Sequence, residues 1–233
     1  MQVVILAAGA GTRLRPLTND IPKPMVLVNG RPILEYTLSI LPNVIDEVIL
    51  VVGYKKEKII DYFGDSFGDL SIKYVEQEIL NGTAGALDLT RDKLRSGPFL
   101  FLYADDLYDP EDLKEIVTSN EPAILVKRID DPRRFGVCLV DEEGYLIDIL
   151  EKPENPPSNL VNPGVYLLNQ GIFDVPKVQL PNGEYNLAAQ IGLWAREIKI
   201  RTIPARFWHP IGYAKDVEEA HSLISVPLER KRI

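Results

Sequence analysis

The first stretch of the chain constrains the fold most, because it joins a wholly apolar run to a loop of very small residues. Residues 3–7 carry only apolar side chains, which is typical of a strand buried on both faces of a parallel sheet. Gly9 and Gly11 then leave almost no side-chain bulk before Arg13. Small residues let successive backbone N–H groups surround an anion, and a guanidinium binds phosphate oxygens as a fork. We therefore predict a loop that binds a polyphosphate.

Two better-known phosphate loops do not fit this stretch. A dinucleotide-binding G-x-G-x-x-G loop needs a third glycine where this chain has Leu14, which argues against an NAD-dependent oxidoreductase. A P-loop needs a Gly-Lys pair, and the sequence contains none. The two glycines by themselves are equally typical of an ordinary strand-to-helix turn, so the interpretation depends on the rest of the chain.

The composition is that of a globular protein. For 233 residues with 45% hydrophobic and 26% charged content, we expect one α/β domain over residues 1–233. The apolar runs are shorter than a membrane span needs, and no basic leader precedes the first strand. Cys138 is the one cysteine and cannot pair within the chain, which is typical of the reducing cytoplasm. We therefore expect a cytoplasmic protein without membrane contact.

Charge is distributed unevenly along the chain. The net charge of −8 argues against a nucleic-acid partner. The first 35 residues nevertheless carry a net positive charge, because Arg13, Arg15, Lys23 and Arg31 outnumber the two acidic residues there. An acidic protein with a basic first segment suits a small anionic ligand that binds in one cleft.

Apolar runs alternate with amphipathic segments, which predicts a mostly parallel sheet with right-handed helical crossovers. The expected fold class is α/β, a single-domain, Rossmann-like, doubly wound sheet. In such sheets ligands bind at the carboxyl ends of the strands, where the glycine loop lies. We predict helices at 32–41, 55–63 and 215–224, and strands at 3–7, 25–28, 48–52, 72–75, 99–106, 123–127 and 161–168.

Two carboxylates, Asp105 and Asp106, end the buried strand predicted at 99–106. Acidic groups at the end of a central strand are costly to desolvate unless they meet a cation. Mg²⁺ binds through one or two carboxylates together with substrate phosphates, so this position fits a metal ligand. An N-cap or a surface turn is the alternative use of such residues.

A longer string carries a more specific signal than the glycines. L-A-A-G-A-G-T-R-L-R-P-L-T, followed by P-K-P-M, closely resembles the signature of the sugar-phosphate nucleotidyltransferases, also called NDP-sugar pyrophosphorylases. The resemblance covers nearly the whole chain and recurs in the strings G-T-A-G-A-L, Y-A-D, F-G-V, E-K-P, N-P-G-V-Y and G-E-Y. It implies an enzyme that joins a nucleoside triphosphate to a sugar 1-phosphate and releases pyrophosphate. Many relatives carry an added β-helix of hexapeptide repeats; no such period occurs here, so we expect that domain to be absent.

The resemblance also implies roles for individual residues. The implied nucleotide-binding residues are Leu6, Ala8, Gly9, Gly11, Thr12, Arg13, Gln77, Gly82 and Thr83. The implied sugar-binding residues are Gly136, Glu151, Asn162, Gly164, Tyr166 and Glu184. The implied catalytic residues are Arg13, Lys23, Asp105 and Lys152, and Asp105 would also hold Mg²⁺.

Two strings depart from the family pattern. The family closes on W-x-D-I-G-T, whose aspartate is the second metal ligand, and this chain has Pro210 at that position. The second ligand is therefore open among Asp106, His209 and Asp216, and a site with a single protein ligand is the remaining choice. Residues 188–189 are two alanines where the family has Thr-Asp.

These departures leave alternatives to the catalytic interpretation. One is a sensor that binds a nucleotide or an NDP-sugar without turnover, and another is a transferase for a different polyol phosphate. The string at 81–87 differs from that of thymidylyltransferases, so dTTP is not favoured. The base, the sugar and the oligomeric state stay open, a homo-oligomer included. The basic string at 230–232 fits either an interface or a frayed end.

Overall fold

Residues 1–224 are described by a computed structural model of the protein, and the basic string at 230–232 lies outside them. The helices are α1 Ile33–Ser39, α2 Lys56–Phe63, α3 Thr83–Asp88, α4 Pro110–Ile116, α5 Leu187–Trp194 and α6 Ala214–Leu223. The strands are β1 Gln2–Ala7, β2 Leu27–Val28, β3 Arg31–Pro32, β4 Glu47–Val52, β5 Ser66–Phe67, β6 Leu70–Glu76, β7 Phe99–Tyr103, β8 Asp106–Tyr108, β9 Ala123–Arg128, β10 Gly136–Val140, β11 Leu146–Glu151, β12 Leu160–Val161, β13 Tyr166–Leu168, β14 Val178–Gln179, β15 Tyr185–Asn186, β16 Arg201–Pro204 and β17 Trp208–Pro210.

The first apolar run of the sequence forms the centre of the main sheet. β1 pairs in parallel with β4 on one side and with β7 on the other, and β6 continues the parallel order beyond β4. Val3, Val4 and Ile5 are fully buried, because apolar clusters cover both faces of this strand. The chain leaves β1 for β4 on one side and later returns to β7 on the other, so a crevice forms at the carboxyl ends of these strands.

The other half of this sheet is antiparallel. β13 pairs antiparallel with both β7 and β9, and β10 forms a hairpin with β11 across the turn at 141–145. The strand order is β11-β10-β12-β9-β13-β7-β1-β4-β6-β5, with β16 parallel to β9. The predicted α/β class with a parallel central sheet is confirmed. The antiparallel half was not predicted.

One predicted strand, at 161–168, is wrong over its central part. The structure has two strands there, β12 and β13, separated by residues 162–165. Gly164 has a positive φ of 81° and donates its N–H to Asn162 Oδ1 at 2.7 Å. The chain therefore turns at this point, in a conformation that glycine adopts easily, and does not continue as a strand.

The strand predicted at 25–28 is also shorter than expected. Two prolines flank the lysine of a 3-10 turn, Lys23–Met25, and β2 begins only at Leu27. Proline restricts the backbone angle φ and donates no N–H, so this stretch cannot pair as a strand. The strand predicted at 99–106 ends at Tyr103, and a turn at 104–105 separates it from β8. The other predicted strands and the predicted helices are present, with shifted ends.

Apolar side chains form a core on each face of the sheet. Leu50 and Leu102 belong to one core, and Phe101 and Cys138 belong to the other. Among residues 1–224, no helix combines the length and the apolar character that crossing a membrane requires. The single domain predicted over 1–233 extends beyond the described residues and stays a prediction.

Candidate functional site

A cleft of about 880 Å³ opens at the carboxyl ends of β1 and β7. The glycine loop after β1 forms one wall, and the start of β10, the end of β11 and the β14–β15 hairpin form the opposite wall. The predicted site residues that line it are Leu6, Ala8, Gly9, Gly11, Thr12, Arg13, Lys23, Gln77, Gly82, Thr83, Asp105, Asp106, Gly136, Glu151, Lys152, Asn162 and Glu184. Gly164 and Tyr166 are not among the lining residues.

The second glycine of the loop, Gly11, lies against Lys23, and this close contact leaves no room for a side chain. Gly11 has a positive φ of 58°, and a Cβ there would lie 2.8 Å from the Cβ of Lys23. Thr18 Oγ1 donates a hydrogen bond to the Gly11 carbonyl at 2.8 Å, which holds the loop from behind. A Cβ at Gly9 would meet no atom within 4 Å, so this glycine leaves open space towards the cleft. The loop is therefore both fixed and free of bulk.

Lys23 and Asp105 form an ion pair inside the cleft. Lys23 Nζ lies 2.5 Å from Asp105 Oδ2, and the two side chains are 14% and 31% exposed. Asp105 comes shortly after β7, so the end of a buried strand brings its charge to the cleft. Asp105 Oδ1 accepts no hydrogen bond from residues 1–224, which leaves one carboxylate oxygen for a ligand. A cation and an anion placed together in this way suit a phosphate and a metal ion.

Asp106, by contrast, is committed to the fold. Its Oδ2 accepts a hydrogen bond from Trp208 Nε1 at 2.9 Å, and its Oδ1 accepts one from the Ile211 N–H at 3.1 Å. Burial, together with the negative charge of Asp105, raises the pKa of Asp106 to about 7. Asp106 also lies opposite Pro210 in the β8–β17 pair. Both oxygens are occupied, so this geometry gives Asp106 the role of holding the 208–211 loop.

The other two candidates for a second metal ligand also have structural partners. Asp216 Oδ2 accepts hydrogen bonds from the Gly212 and Tyr213 N–H groups, each at 2.7 Å, at the start of α6. His209 Nε2 is hydrogen-bonded to the Asp216 carbonyl oxygen at 2.7 Å. Within residues 1–224, no three His, Cys, Asp or Glu side chains form a group that could hold a metal ion. A metal site here would therefore depend on one carboxylate and on substrate oxygens.

Gln77 is buried at one end of the cleft with its amide held in one orientation. Gln77 Nε2 donates to Asn81 Oδ1 and to the Gly82 carbonyl, each at 3.1 Å. A backbone carbonyl only accepts hydrogen bonds, so the NH₂ group of Gln77 must face it. Oε1 accepts no hydrogen bond from the described part of the chain, and Gln77 lines the cleft. Gln77 therefore presents an acceptor to a ligand. Gly85 makes room for this arrangement, because a Cβ there would overlap Asn81.

The β14–β15 hairpin is attached to the loop that carries Gly82. The Tyr185 N–H donates to the Asn81 carbonyl at 2.7 Å, and the Leu187 N–H donates to Thr83 Oγ1 at 2.9 Å. Gly82 has a positive φ of 101°, and a Cβ there would overlap the Tyr185 backbone. The hairpin also carries Glu184, so the two predicted halves of the site, nucleotide and sugar, are in direct contact.

The predicted sugar-binding wall combines the Glu151–Lys152 ion pair with the side-chain amide of Asn162. Lys152 Nζ lies 2.8 Å from Glu151 Oε1, and Lys152 is among the few non-glycine residues with a positive φ, 44°. A Cβ at Gly136 would lie 3.1 Å from Ile149 and 3.7 Å from Glu151 Oε2, so glycine keeps this strand close to the carboxylate. Carboxylate and amide groups at this wall can hydrogen-bond to hydroxyl groups.

Two predicted sugar-binding residues lie behind the cleft wall. Tyr166 is fully buried, and Asn162 Nδ2 donates a short hydrogen bond to its hydroxyl. Gly164 lies against the ring of Tyr103, which a Cβ would overlap. The expectation of direct sugar contact is therefore wrong for the Tyr166 ring, and both residues position Asn162 and Tyr103 at the wall. Sequence strings do not reveal this difference, since it depends on burial.

Among the residues that were not predicted, three contribute polar or aromatic contacts to the site: Arg134, Asn81 and Tyr213. Arg134 lines the cleft, and its guanidinium carbon lies 4.6 Å from the ring centre of Tyr213. Asn81 orients Gln77 as described above. Arg134 and Asn81 directly precede family strings, which is a usable signal, whereas Tyr213 reaches Arg134 only through the fold.

Comparisons with known proteins agree with the predicted family and the fold. The family model described as Nucleotidyl transferase matches residues 2–225. The chain is 37% identical over 227 residues to the bifunctional protein GlmU of Methanocaldococcus jannaschii, with 96% of this chain and 54% of that protein covered. It is 38% identical over 232 residues to the UTP–glucose-1-phosphate uridylyltransferase AglF of Haloferax volcanii, with 94% and 95% covered. The chain thus spans about half the length of GlmU and nearly all of AglF.

A solved structure gives the same result for the fold. UDP-glucose pyrophosphorylase complexed with UDP-glucose superposes with a TM-score of 0.83, over 95% of this chain and 97% of that chain. Its sequence identity is 23%, so this likeness concerns the fold alone. The family predicted from the sequence strings is confirmed by the match over nearly the whole chain, and the protein belongs to the nucleotidyl transferase family.

Proposed function

We propose that this protein joins a nucleoside triphosphate to a sugar 1-phosphate and releases pyrophosphate, forming an NDP-sugar. The observation that carries the proposal is one cleft with two chemically different halves. Glycine backbone, Arg13 and the Lys23–Asp105 pair lie in one half, and Glu151, Lys152 and Asn162 lie in the other. The first half suits phosphates, and the second suits a polyol that bears a phosphate. The names of the curated relatives support the same chemistry.

The chemistry needs positioning more than proton transfer. An oxygen of the sugar phosphate attacks the α-phosphorus of the triphosphate, and the bond from that phosphorus to the pyrophosphate oxygen breaks. The attacking phosphate is already ionised at neutral pH, because its second pKa is about 6, so no general base is required. Arg13 holds the departing pyrophosphate, and Lys23 and Lys152 hold the reacting phosphates. Charge stabilisation and in-line geometry then lower the barrier.

Nucleotidyltransferases of this family generally use a divalent metal ion. Mg²⁺ is the ion we propose, with Asp105 as its protein ligand. The residues fit: Mg²⁺ binds through one or two carboxylates and substrate phosphates, and Asp105 has a free oxygen beside the phosphate half. When bound, the ion would neutralise charge on the nucleotide oxygens.

The single cysteine, buried in the core, is in keeping with a cytoplasmic location for the whole domain.

A second candidate function is a nucleotide or NDP-sugar sensor with impaired catalysis. It is favoured by Pro210, which stands where the family has an acidic metal ligand and faces the occupied Asp106. Ala188, which lines the cleft where a threonine is usual, points the same way. A sensor would bind the same ligands and release no pyrophosphate.

Pyrophosphate release distinguishes the two functions. The purified chain with Mg²⁺ is mixed with UTP, dTTP, GTP, CTP or ATP, and each is combined with a panel of sugar 1-phosphates and with inositol and glycerol phosphates. We expect release with at least one sugar pairing. Release only with inositol or glycerol phosphate would change the acceptor to another polyol. Measurable triphosphate binding without release from any pair would overturn the transferase and favour the sensor.

A further inference from the structure

Two arginines at the cleft lack the carboxylate partners that neighbouring cations have. The guanidinium carbons of Arg13 and Arg134 lie 5.6 and 4.6 Å from the ring centre of Tyr213. Across residues 1–224, neither forms an ion pair, whereas Lys23 and Lys152 are paired in the same cleft. These two guanidiniums are therefore positive charges of the site that no carboxylate of residues 1–224 contacts as an ion pair.

Both positive charges lie at one aromatic ring. The separation of the two guanidinium carbons is at most the sum of their distances from the ring centre, 5.6 and 4.6 Å. The electron-rich face of the ring attracts cations and holds them in place, but it carries no net charge. Two positive charges that converge on one ring favour binding of an anion. The carboxylate nearest to Tyr213 in sequence, Asp216, is already used by two backbone N–H groups.

The two arginines come from opposite walls of the cleft. Arg13 belongs to the glycine loop, and Arg134 ends the short 3-10 helix Pro132–Arg134, just before the wall that begins at Gly136. The backbone of Tyr213 is fixed at the start of α6, where its N–H donates to Asp216 Oδ2 at 2.7 Å. An anion bound by both arginines would therefore be contacted from both walls of the cleft.

We propose that Arg134 binds the departing pyrophosphate together with Arg13, and that Tyr213 is the positioning residue that holds both guanidiniums towards it. The inference rests on the proposed function. Pyrophosphate is favoured over the sugar phosphate because Arg134 shares its platform with Arg13 of the glycine loop, whereas Lys152 serves the sugar side. Before reaction, the same pair binds the β- and γ-phosphates of the triphosphate.

Binding of inorganic pyrophosphate tests the proposal without any turnover. Calorimetry with Mg²⁺ present compares the wild type with Arg134→Gln, Arg134→Lys and the matched control Arg133→Gln. Arg133 is the adjacent residue and is exposed and paired with Asp131 at 2.7 Å. We expect Arg134→Gln to raise the Kd at least about tenfold, because hydrogen bonds between charged groups are the strong ones. Arg134→Lys should recover part of the loss, and Arg133→Gln should bind like the wild type.

The role of Tyr213 needs a readout that simple destabilisation would not produce. Tyr213→Phe keeps the aromatic face and should retain the pyrophosphate Kd, whereas Tyr213→Leu removes it and should raise the Kd severalfold. The KM for the sugar 1-phosphate should stay unchanged in both. Equal Kd values for the Phe and Leu variants, at equal melting temperatures, would overturn the positioning role.

The outcomes separate this inference from the proposed function. If Arg134→Gln binds pyrophosphate as well as Arg133→Gln while the wild type releases pyrophosphate from substrates, the inference is wrong and the function stands. If Arg134→Gln weakens binding but no substrate pair is turned over, the function is wrong, and the role of Arg134 in holding a departing pyrophosphate is overturned with it, although Arg134 still binds pyrophosphate. A selective loss of sugar 1-phosphate affinity in Arg134→Gln would move this arginine to the sugar side and overturn the inference.

Discussion

Two adjacent carboxylates of this chain, Asp105 and Asp106, have different roles, one in ligand binding and one in the fold. Asp105 projects into the cleft beside Lys23, whereas both oxygens of Asp106 are used by Trp208 and the Ile211 backbone. Asp105 lies in the turn after β7, whereas Asp106 begins β8 and pairs with β17, so the two side chains meet different partners. Their proximity in sequence thus places a binding group next to a structural one.

Substitution by asparagine should separate these roles. Asp105→Asn removes the charge beside Lys23, and we expect kcat to fall by about 10²-fold or more with a small change in melting temperature. Asp106→Asn places an NH₂ group against an N–H donor, which should destabilise the fold by about 1–3 kcal/mol. Steady-state kinetics and thermal unfolding measure both. A large loss of stability in Asp105→Asn with normal turnover would contradict this assignment.

The orientation of the Gln77 amide leads to a prediction about which nucleobase of the triphosphate is preferred. Its fixed acceptor matches a ring N–H, which uracil, thymine and guanine have and which neutral adenine and cytosine lack in the corresponding ring position. A site with an acceptor facing another acceptor loses roughly 10²-fold or more in kcat/KM. We therefore expect UTP, dTTP or GTP to exceed ATP and CTP by that factor. The comparison of kcat/KM across these triphosphates would contradict the prediction if ATP or CTP were best.

At the scale of elements, the β14–β15 hairpin and the start of α3 form one unit. The hairpin is held by the Asn81 carbonyl and by Thr83, and Gly82 lets the two backbones touch. α3 is a six-residue helix whose stability comes from such contacts more than from its length. The contact between nucleotide and sugar sides is therefore built from backbone.

Alanine substitution of two hairpin-region glycines should show this contact. Gly82→Ala would overlap Tyr185, and we expect a raised KM for the sugar 1-phosphate and a lower melting temperature. Gly183→Ala is the matched control, because Gly183 also has a positive φ, 87°, but open space around a Cβ. The control should lose only about 1 kcal/mol of stability from backbone strain. Equal kinetic effects of both variants would show that Gly82 acts through strain and not through contact.

At the scale of the whole molecule, the two halves of the sheet divide the work of the site. The parallel half provides the crevice between β1 and β7, and the antiparallel half provides the wall at β10 and β11. β13 joins the halves, because it pairs with both β7 and β9. The cleft therefore depends on one continuous sheet, and its geometry is as stable as the core beneath it.

Cys138 reports on that core. It is 1% exposed on β10, and burial raises the pKa of its thiol to about 12. Since the thiolate is the reactive form, we expect almost no reaction of the native protein with a disulfide reagent at pH 8. In denaturant the thiol should react promptly, because its pKa returns to about 8.5. Fast labelling of the native protein would mean that β10 opens readily.

The sequence by itself determined the features that depend on neighbouring residues. The apolar run before Gly9 and Gly11 predicted a buried strand and a phosphate loop, because backbone freedom and local charge are properties of a short stretch. The family strings then identified the family and about half of the residues that line the cleft.

Only the tertiary structure decided which of these residues face a ligand. Burial of Tyr166, occupation of both Asp106 oxygens and the meeting of Arg13 with Arg134 at Tyr213 all join segments that are distant in sequence. Such contacts depend on strand register and on the path of loops, which local propensity does not specify. The orientation of the Gln77 amide was likewise decided by the tertiary structure, since the Gly82 carbonyl fixes which end of the amide faces the ligand.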